Sequence, residues 1–195
     1  MRRAVRNAAV CFVAVFAAAC ATAPSNFYTL SRTAKAGAAT PGVAIVVGPV
    51  SIPAIVDLPQ IVVSTGPNQV TLDEFNRWAS PLQNNIARVV AENLVVILGT
   101  PRVSLFQQSL NADAEYRVAI EVQSFESVPG EAATLNAVWM VRRTRDGKSE
   151  TGRTTVREPT SANGYDALAA AHSRALARMS EDIGDAIRVL GRASP

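Results

Sequence analysis

Any chemistry in this chain has to start from Cys20 or His172, because the sequence holds only two cysteines and one histidine, and the other cysteine, Cys11, sits inside an apolar run. That run extends from Ala8 to Ala19, follows Arg2, Arg3 and Arg6, and ends on the small residues Ala17, Ala18 and Ala19 directly before Cys20. A basic start, an apolar middle and small residues at a cut site make a cleavable secretory signal. Signal peptidases need small residues there so that the extended chain fits their active site. A cysteine just after the cut is the acyl acceptor of bacterial lipoproteins. Burying acyl chains in a bilayer is worth about 0.8 kcal/mol per CH₂ group, so several chains hold a protein on the membrane. Cys20 is therefore expected to be the lipidated first residue of the mature chain, with residues 1–19 removed.

Two details qualify that reading. Ala17 stands where such signals usually carry Leu, and an ordinary secretory cut near Ala23 would instead remove Cys20 or leave it a free thiol. The apolar run is shorter than the roughly 20 residues a helix needs to span a bilayer, which argues against a permanent span. Ala21 follows the cysteine, and retention in the inner membrane is mainly associated with Asp at that position, so the outer membrane, facing the periplasm, is the expected location.

His172 lies in a run of alanines near the C-terminus. It has no cysteine to activate, and the chain contains no Gly-x-Ser-x-Gly elbow; it is read as a helix-surface residue. No His-x-x-x-His, cysteine pair or Asp-x-Asp-x-Asp-Gly loop offers a metal site, and no glycine-rich segment ends in Gly-Lys-Ser/Thr to cradle a phosphate. The pairs Asp73-Glu74 and Glu181-Asp182 read as helix-start and solvent-face charges. No catalytic residue, metal or cofactor is expected.

Composition narrows the rest. The full chain has 19 Lys+Arg against 16 Asp+Glu, but three of those arginines belong to the signal, so the mature chain is formally neutral and nucleic-acid binding is not expected. With both cysteines accounted for, no thiol remains for a disulfide, and stability must come from packing. About 160 residues suffice for one core. An apolar fraction of 48% argues against disorder, and 6% aromatic residues argues against a carbohydrate surface of stacked rings.

The elements that would carry a site follow from the pattern. Residues 20–42 read as lipidated cysteine and tether, with a short edge strand at 27–30, and residues 43–195 as a single domain. Val43–Val50 is a β-branched run suited to a strand buried on both faces. Pro53 and Pro59 break the next apolar segment into an irregular piece and a strand from Gln60 to Thr65, which turns at Gly66-Pro67-Asn68 into a short strand over 69–72. A helix begins with Ser80 as cap and Pro81 in the first helical position. It buries Leu82, Ile86, Val89, Val90, Ile97 and Leu98, keeps Asn84, Asn85, Arg88 and Glu92 outside, and stops at Gly99. Residues 103–107 are a candidate strand. Alternation from Tyr116 to Val122, a Pro129-Gly130 turn, a return strand through Leu135, Ala137, Trp139 and Val141, an Asp146-Gly147 turn and a polar edge strand over 149–157 make an antiparallel meander. A last helix runs from Tyr165 to Leu190, its apolar face carrying Leu168, Ala175, Met179, Ile183, Ala186, Ile187 and Leu190. The predicted class is α+β, two amphipathic helices packed on a mixed, mainly antiparallel sheet.

Arg142, Arg143, Arg145, Lys148, Arg153 and Arg157 gather around one hairpin; a solvated edge guarded by charge is favoured over a contact with acidic head groups, because Glu150 and Glu158 dilute the field.

Pro53 with Leu58-Pro59-Gln60-Ile61-Val62, Arg77-Trp78 followed by Pro81-Leu82, and the final helix with YDALAAAHSRALARMSEDI together resemble the PqiC/YmbA family of ABC-type transport auxiliary lipoproteins. The likeness runs from Phe27-Tyr28-Thr29-Leu30 over nearly the whole mature chain. Family members typically have a basic residue where this chain has Leu58 and an acidic one near Ser80. The resemblance implies an outer-membrane-anchored periplasmic lipoprotein beside a transporter built from an ABC ATPase, a permease and a mammalian-cell-entry (MCE) domain protein. That system moves lipids or other hydrophobic molecules, and this chain would be its docking or bridging subunit.

Prolines hold an apolar loop extended and keep its backbone from pairing. Ile52, Pro53, Ile55, Leu58, Pro59 and Gln60 are therefore the candidate partner contacts, together with Trp78. A crossover packed under the first helix is the competing reading of the loop, and a core residue is the favoured reading of Trp78. A freestanding lipid- or small-molecule-binding module and a hydrolase built on His172 are the other functional classes, and the sequence leaves a homo-oligomer open.

Overall fold

The computed structural model describes residues 24–106 and 113–192. Cys20 lies outside the described residues. Among the described residues, eight strands and two helices follow one another as β1 (Asn26–Tyr28), β2 (Ile45–Ser51), β3 (Gln60–Gly66), β4 (Gln69–Trp78), α1 (Leu82–Leu98), β5 (Val103–Leu105), β6 (Tyr116–Val128), β7 (Ala132–Arg143), β8 (Ser149–Pro159) and α2 (Tyr165–Arg192).

The strands form two sheets, one ordered β5-β2-β6-β7-β8 and a smaller one ordered β1-β4-β3. In the larger sheet β2 runs parallel to both β5 and β6, while β6, β7 and β8 form the antiparallel meander. In the smaller sheet β3 and β4 are an antiparallel hairpin, and β1 joins β4 in parallel at its C-terminal end only, pairing Asn26 with Asn76, Phe27 with Arg77 and Tyr28 with Trp78. The class is α+β, as the alternation in β6 and β7 and the two helical stripes predict.

Both helices bury their stripes against the larger sheet and each other: α1 packs on β2 and β5, and α2 on β6, β7 and β8. Val43 to Val47 are all buried, in keeping with a strand covered on both faces. Pro81, with ψ 128, is extended and sits at the cap, so α1 starts at Leu82, one residue later than expected, without a side-chain cap. Gly99 ends it in the left-handed conformation at φ 61, which a residue without Cβ adopts without steric cost.

Several expectations need correction. β4 continues through Trp78 where a strand of four residues was expected. Asp73 and Glu74 thus lie in a strand and not at a helix start. The Asp73 carboxylate accepts hydrogen bonds from the Tyr165 hydroxyl (2.8 Å) and from the backbone N–H groups of Phe75 (2.9 Å) and Asn76 (3.0 Å), holding a bulge in the strand. That bonding, the Tyr165 hydroxyl first, holds its carboxyl below the ordinary value. Burial and the same bond push Tyr165 up to about 12.

Asn85, expected on the outer side of α1, is buried, and Asn93 is fully so. Asn93 Oδ1 accepts from the backbone N–H groups of Thr33 (3.2 Å) and Ala34 (3.1 Å), and its amide donates to Ser180 Oγ (3.3 Å). The segment following β1, read from sequence as tether, is thereby stitched to both helices, with Leu30 buried beside them. Arg143 is likewise buried rather than part of a solvated edge. Its guanidinium pairs with Asp146 at 2.6 Å and donates to the Leu190 carbonyl at the end of α2.

Candidate functional site

The Pro-interrupted segment folds into a tight turn after β2. Val56 N–H donates to the Pro53 carbonyl (3.0 Å) and Asp57 N–H to the Ala54 carbonyl (3.3 Å). Val56 points into the core, while Ile55, at the tip, is 55% exposed. The turn thus holds an apolar side chain outward, next to prolines that give no N–H.

This turn forms one wall of an open groove of about 1070 Å³. The β3–β4 hairpin supplies Val62, Ser64 and Val70, and the far end of β6 supplies Gln123 to Val128, closed by Pro129 and Glu131. The two strand systems meet because β3 packs beside β6. Glu126 and Glu131 are the ionisable side chains of the lining, which holds no Lys or Arg among the described residues. Ser124 Oγ donates to Glu126 at 2.9 Å, and Glu131 pairs with Arg157 at 3.0 Å.

Of the candidate contacts, Pro53 and Ile55 line the groove. Ile52 and Leu58 are half-buried and pack against the core. Pro59 and Gln60 stand at the start of β3: the Pro59 carbonyl accepts from Trp78 N–H (2.8 Å), and the Gln60 amide donates to Glu74 (3.2 Å). Trp78 is buried and meets Phe125 edge-on with ring centroids 6.3 Å apart, the core reading of that residue. The contributions of Ser64, Val70 and Gln123 to Val128 were not foreseen, since the groove is assembled from strands some sixty positions apart and no local pattern announces it.

His172 is not on the helix surface as expected; it is fully buried. Its ring stacks on Phe125 at 3.7 Å with an 8° tilt, and Nε2 lies 2.8 Å from Ser127 Oγ. Phe125 and Ser127 line the groove, so this stack and hydrogen bond form its floor. Burial lowers the His172 pKa to about 3. Nδ1 has no hydrogen-bond partner, so the carboxylate that would complete a Ser-His-acid triad is missing from the cluster. No group of three or more His, Cys, Asp or Glu among the described residues could hold a metal ion, and no described helix is long and apolar enough to cross a membrane.

Among solved structures the fold is similar to an uncharacterized protein, at 20% identity and a TM-score of 0.70, over 85% of this chain and 99% of that one. It is equally similar to a Xanthomonas campestris protein assigned to the DUF330 family, at 22% identity and a TM-score of 0.70, over 86% of this chain and 97% of that one. No curated protein matches the sequence. The family model for the ABC-type transport auxiliary lipoprotein component matches residues 28–184, from the second residue of the Phe27-Tyr28-Thr29-Leu30 segment to Gly184 in the last third of α2. The chain belongs to the PqiC/YmbA-type family of ABC-type transport auxiliary lipoproteins.

Proposed function

We propose that this protein is the docking subunit of an ABC transport system that includes an MCE-domain protein and moves lipids or other hydrophobic molecules through the cell envelope. In this reading it is tethered to the outer membrane by acyl chains on Cys20, faces the periplasm and catalyses no reaction. The groove beside Ile55 is the contact site.

The observation that carries this reading is the form of the groove. Ligand pockets for small apolar molecules enclose most of the ligand surface, whereas this groove is only partly enclosed, with the exposed Ile55 and two carboxylates in its lining. Such a surface suits a protein segment with apolar and basic side chains better than a free lipid. This favours the adaptor over the freestanding binding module.

The test is co-purification of the tagged chain with the MCE-domain protein when both are co-expressed at native levels. Ile55→Asp should abolish association, while Met140→Asp, on an exposed site of β7, should leave it intact. Loss of binding in neither variant, or association in no case, contradicts the reading.

A further inference from the structure

One wall of the groove is a strand edge that no other strand among the described residues pairs. β7 flanks β6 from Tyr116 to Val128, but β2 accompanies it only as far as Glu121, which pairs with Ser51. Pro53 then lies in the turn that leads the chain away, and β6 bulges at Gln123, between the pairs Val122 with Ala137 and Ser124 with Asn136. In an antiparallel ladder alternate residues point their N–H and C=O groups to opposite sides. Beyond the bulge, every second backbone unit of β6 therefore turns away from β7, toward the groove that Gln123 to Val128 line. The Val128 carbonyl is taken by Glu131 N–H (3.1 Å) in the following turn, so the free edge runs from Gln123 to Ser127. At 3.3–3.4 Å per residue it is about 17 Å long, the length of an ordinary strand. On the opposite wall β3 is the outermost strand of the smaller sheet, with β4 on one side only.

We propose that the partner enters this groove as an added β-strand, an extended segment of the MCE-domain protein whose main chain pairs with β6 from Gln123 to Ser127 and whose side chains alternate apolar and basic. This mode of binding rests on the docking role proposed above and specifies how that contact is made.

The edge itself argues for an added strand. Free edges are ordinarily guarded by charge, especially Lys, or by Pro, and β8, the outer strand of the larger sheet, follows that rule with exposed Arg153 and Arg157. Gln123 to Ser127 contain no Pro and no basic residue, and Glu126 is their one charge. Strand addition satisfies such an edge through the main chain and leaves specificity to alternate side chains.

The side chains of β6 define the occupant. Phe125 and Ser127 are buried on one face, while Ser124 and the exposed Glu126 lie on the other. A strand laid beside β6 sets its own side chains alternately on the same two faces. One set meets Phe125 and the buried Val56 and Val62, and is apolar. The other meets Glu126, in a lining whose ionisable groups are Glu126 and Glu131, and is basic. This chain does not supply that alternation from outside its described residues: with residues 1–19 removed, residues 20–23, 107–112 and 193–195 contain no Lys or Arg.

The test uses the full-length chain alone and co-purified with the MCE-domain protein, with hydrogen–deuterium exchange read residue by residue on β6. In the chain alone, alternate amides between 123 and 127 should exchange fast and those bonded to β7 slowly. In the complex the fast set should slow several-fold while the β8 edge over 149–157 is unchanged. Glu126→Lys should weaken association several-fold, most at low ionic strength, with the exchange of β7 unaltered. If no complex forms, the docking role falls and the added strand with it. A complex in which β6 exchanges as in the chain alone overturns the added strand and leaves docking standing. Groove-side amides that are already slow without the partner mean that a second copy or another part of the chain covers the edge, which overturns it too. Native-like association of Glu126→Lys at low salt overturns the basic segment.

Discussion

His172 Nε2 lies 2.8 Å from Ser127 Oγ beneath a groove whose floor the same serine helps to line, and its ring is stacked on Phe125. The imidazole is fully buried and its pKa is lowered to about 3 by desolvation. An unfolded chain has a histidine pKa near 6.5, so between these values the unfolded state binds a proton that the folded state does not. Stability therefore rises with pH across that window and falls as pH drops below about 6.5, at close to 1.4 kcal/mol per pH unit. Asp146, held at about 2 first by its bond from Arg143, and Asp73 lose their contributions at lower pH, below the ordinary carboxylate range. Denaturant unfolding at intervals from pH 7 to 4.5 should show this slope, and His172→Gln should flatten it whatever its own stability. An unchanged slope in the variant would refute the assignment.

Gly152 lies directly across from Trp139 in the β7–β8 ladder, and a Cβ at 152 would fall 2.2 Å from the indole Cζ2. The ring is fixed in place, since its N–H donates to Thr154 Oγ1 (3.1 Å) and that hydroxyl donates to Asp182 on α2 (2.5 Å). Gly152→Ala should destabilise by about 1–3 kcal/mol through overpacking, read as a lower denaturant midpoint with an unchanged m-value. A neutral outcome would mean the indole moves freely.

The Arg143 guanidinium is almost wholly buried and ties the β7–β8 hairpin to the Leu190 carbonyl. Removing its partner with Asp146→Ala takes the counter-charge from a guanidinium that the fold holds out of water, so the variant should be less stable than the native protein, read as a lower denaturant midpoint. The double variant Asp146→Ala, Arg143→Met should recover part of that loss. Equal destabilisation of single and double variants would contradict it.

How much of this was legible in the sequence depends on whether the cause is local. The meander was readable because Tyr116, Val118, Ile120 and Val122 bury one face by simple alternation. α1 was readable from its stripe and its glycine stop. β4 was cut short at Leu72 because Asp73 and Glu74 read as helix-start charges; only the Tyr165 hydroxyl, from ninety residues away, shows why an acidic residue sits inside that strand. His172, Ser173 and Ser180 were hidden because α2 is covered both by the sheet and by α1, so its buried sector exceeds the apolar stripe. For the site, the Pro53–Leu58 turn was visible as a proline pattern, and its neighbours across the groove were not.

Membrane attachment should be separable from folding, since Cys20 precedes every described element. Cys20→Ser should shift the protein from the membrane to the soluble fraction and keep the same thermal midpoint. Unchanged fractionation would refute the anchor.

The central claim, that the protein acts by holding a transport partner against the groove, is tested most directly by a photocrosslinking amino acid at Ile55 in living cells that express the complete transport system. The account predicts a covalent adduct with the MCE-domain protein from position 55 and none from position 140. Irradiation that yields no adduct with any component of the system from position 55, with the protein folded and on the membrane, would contradict it.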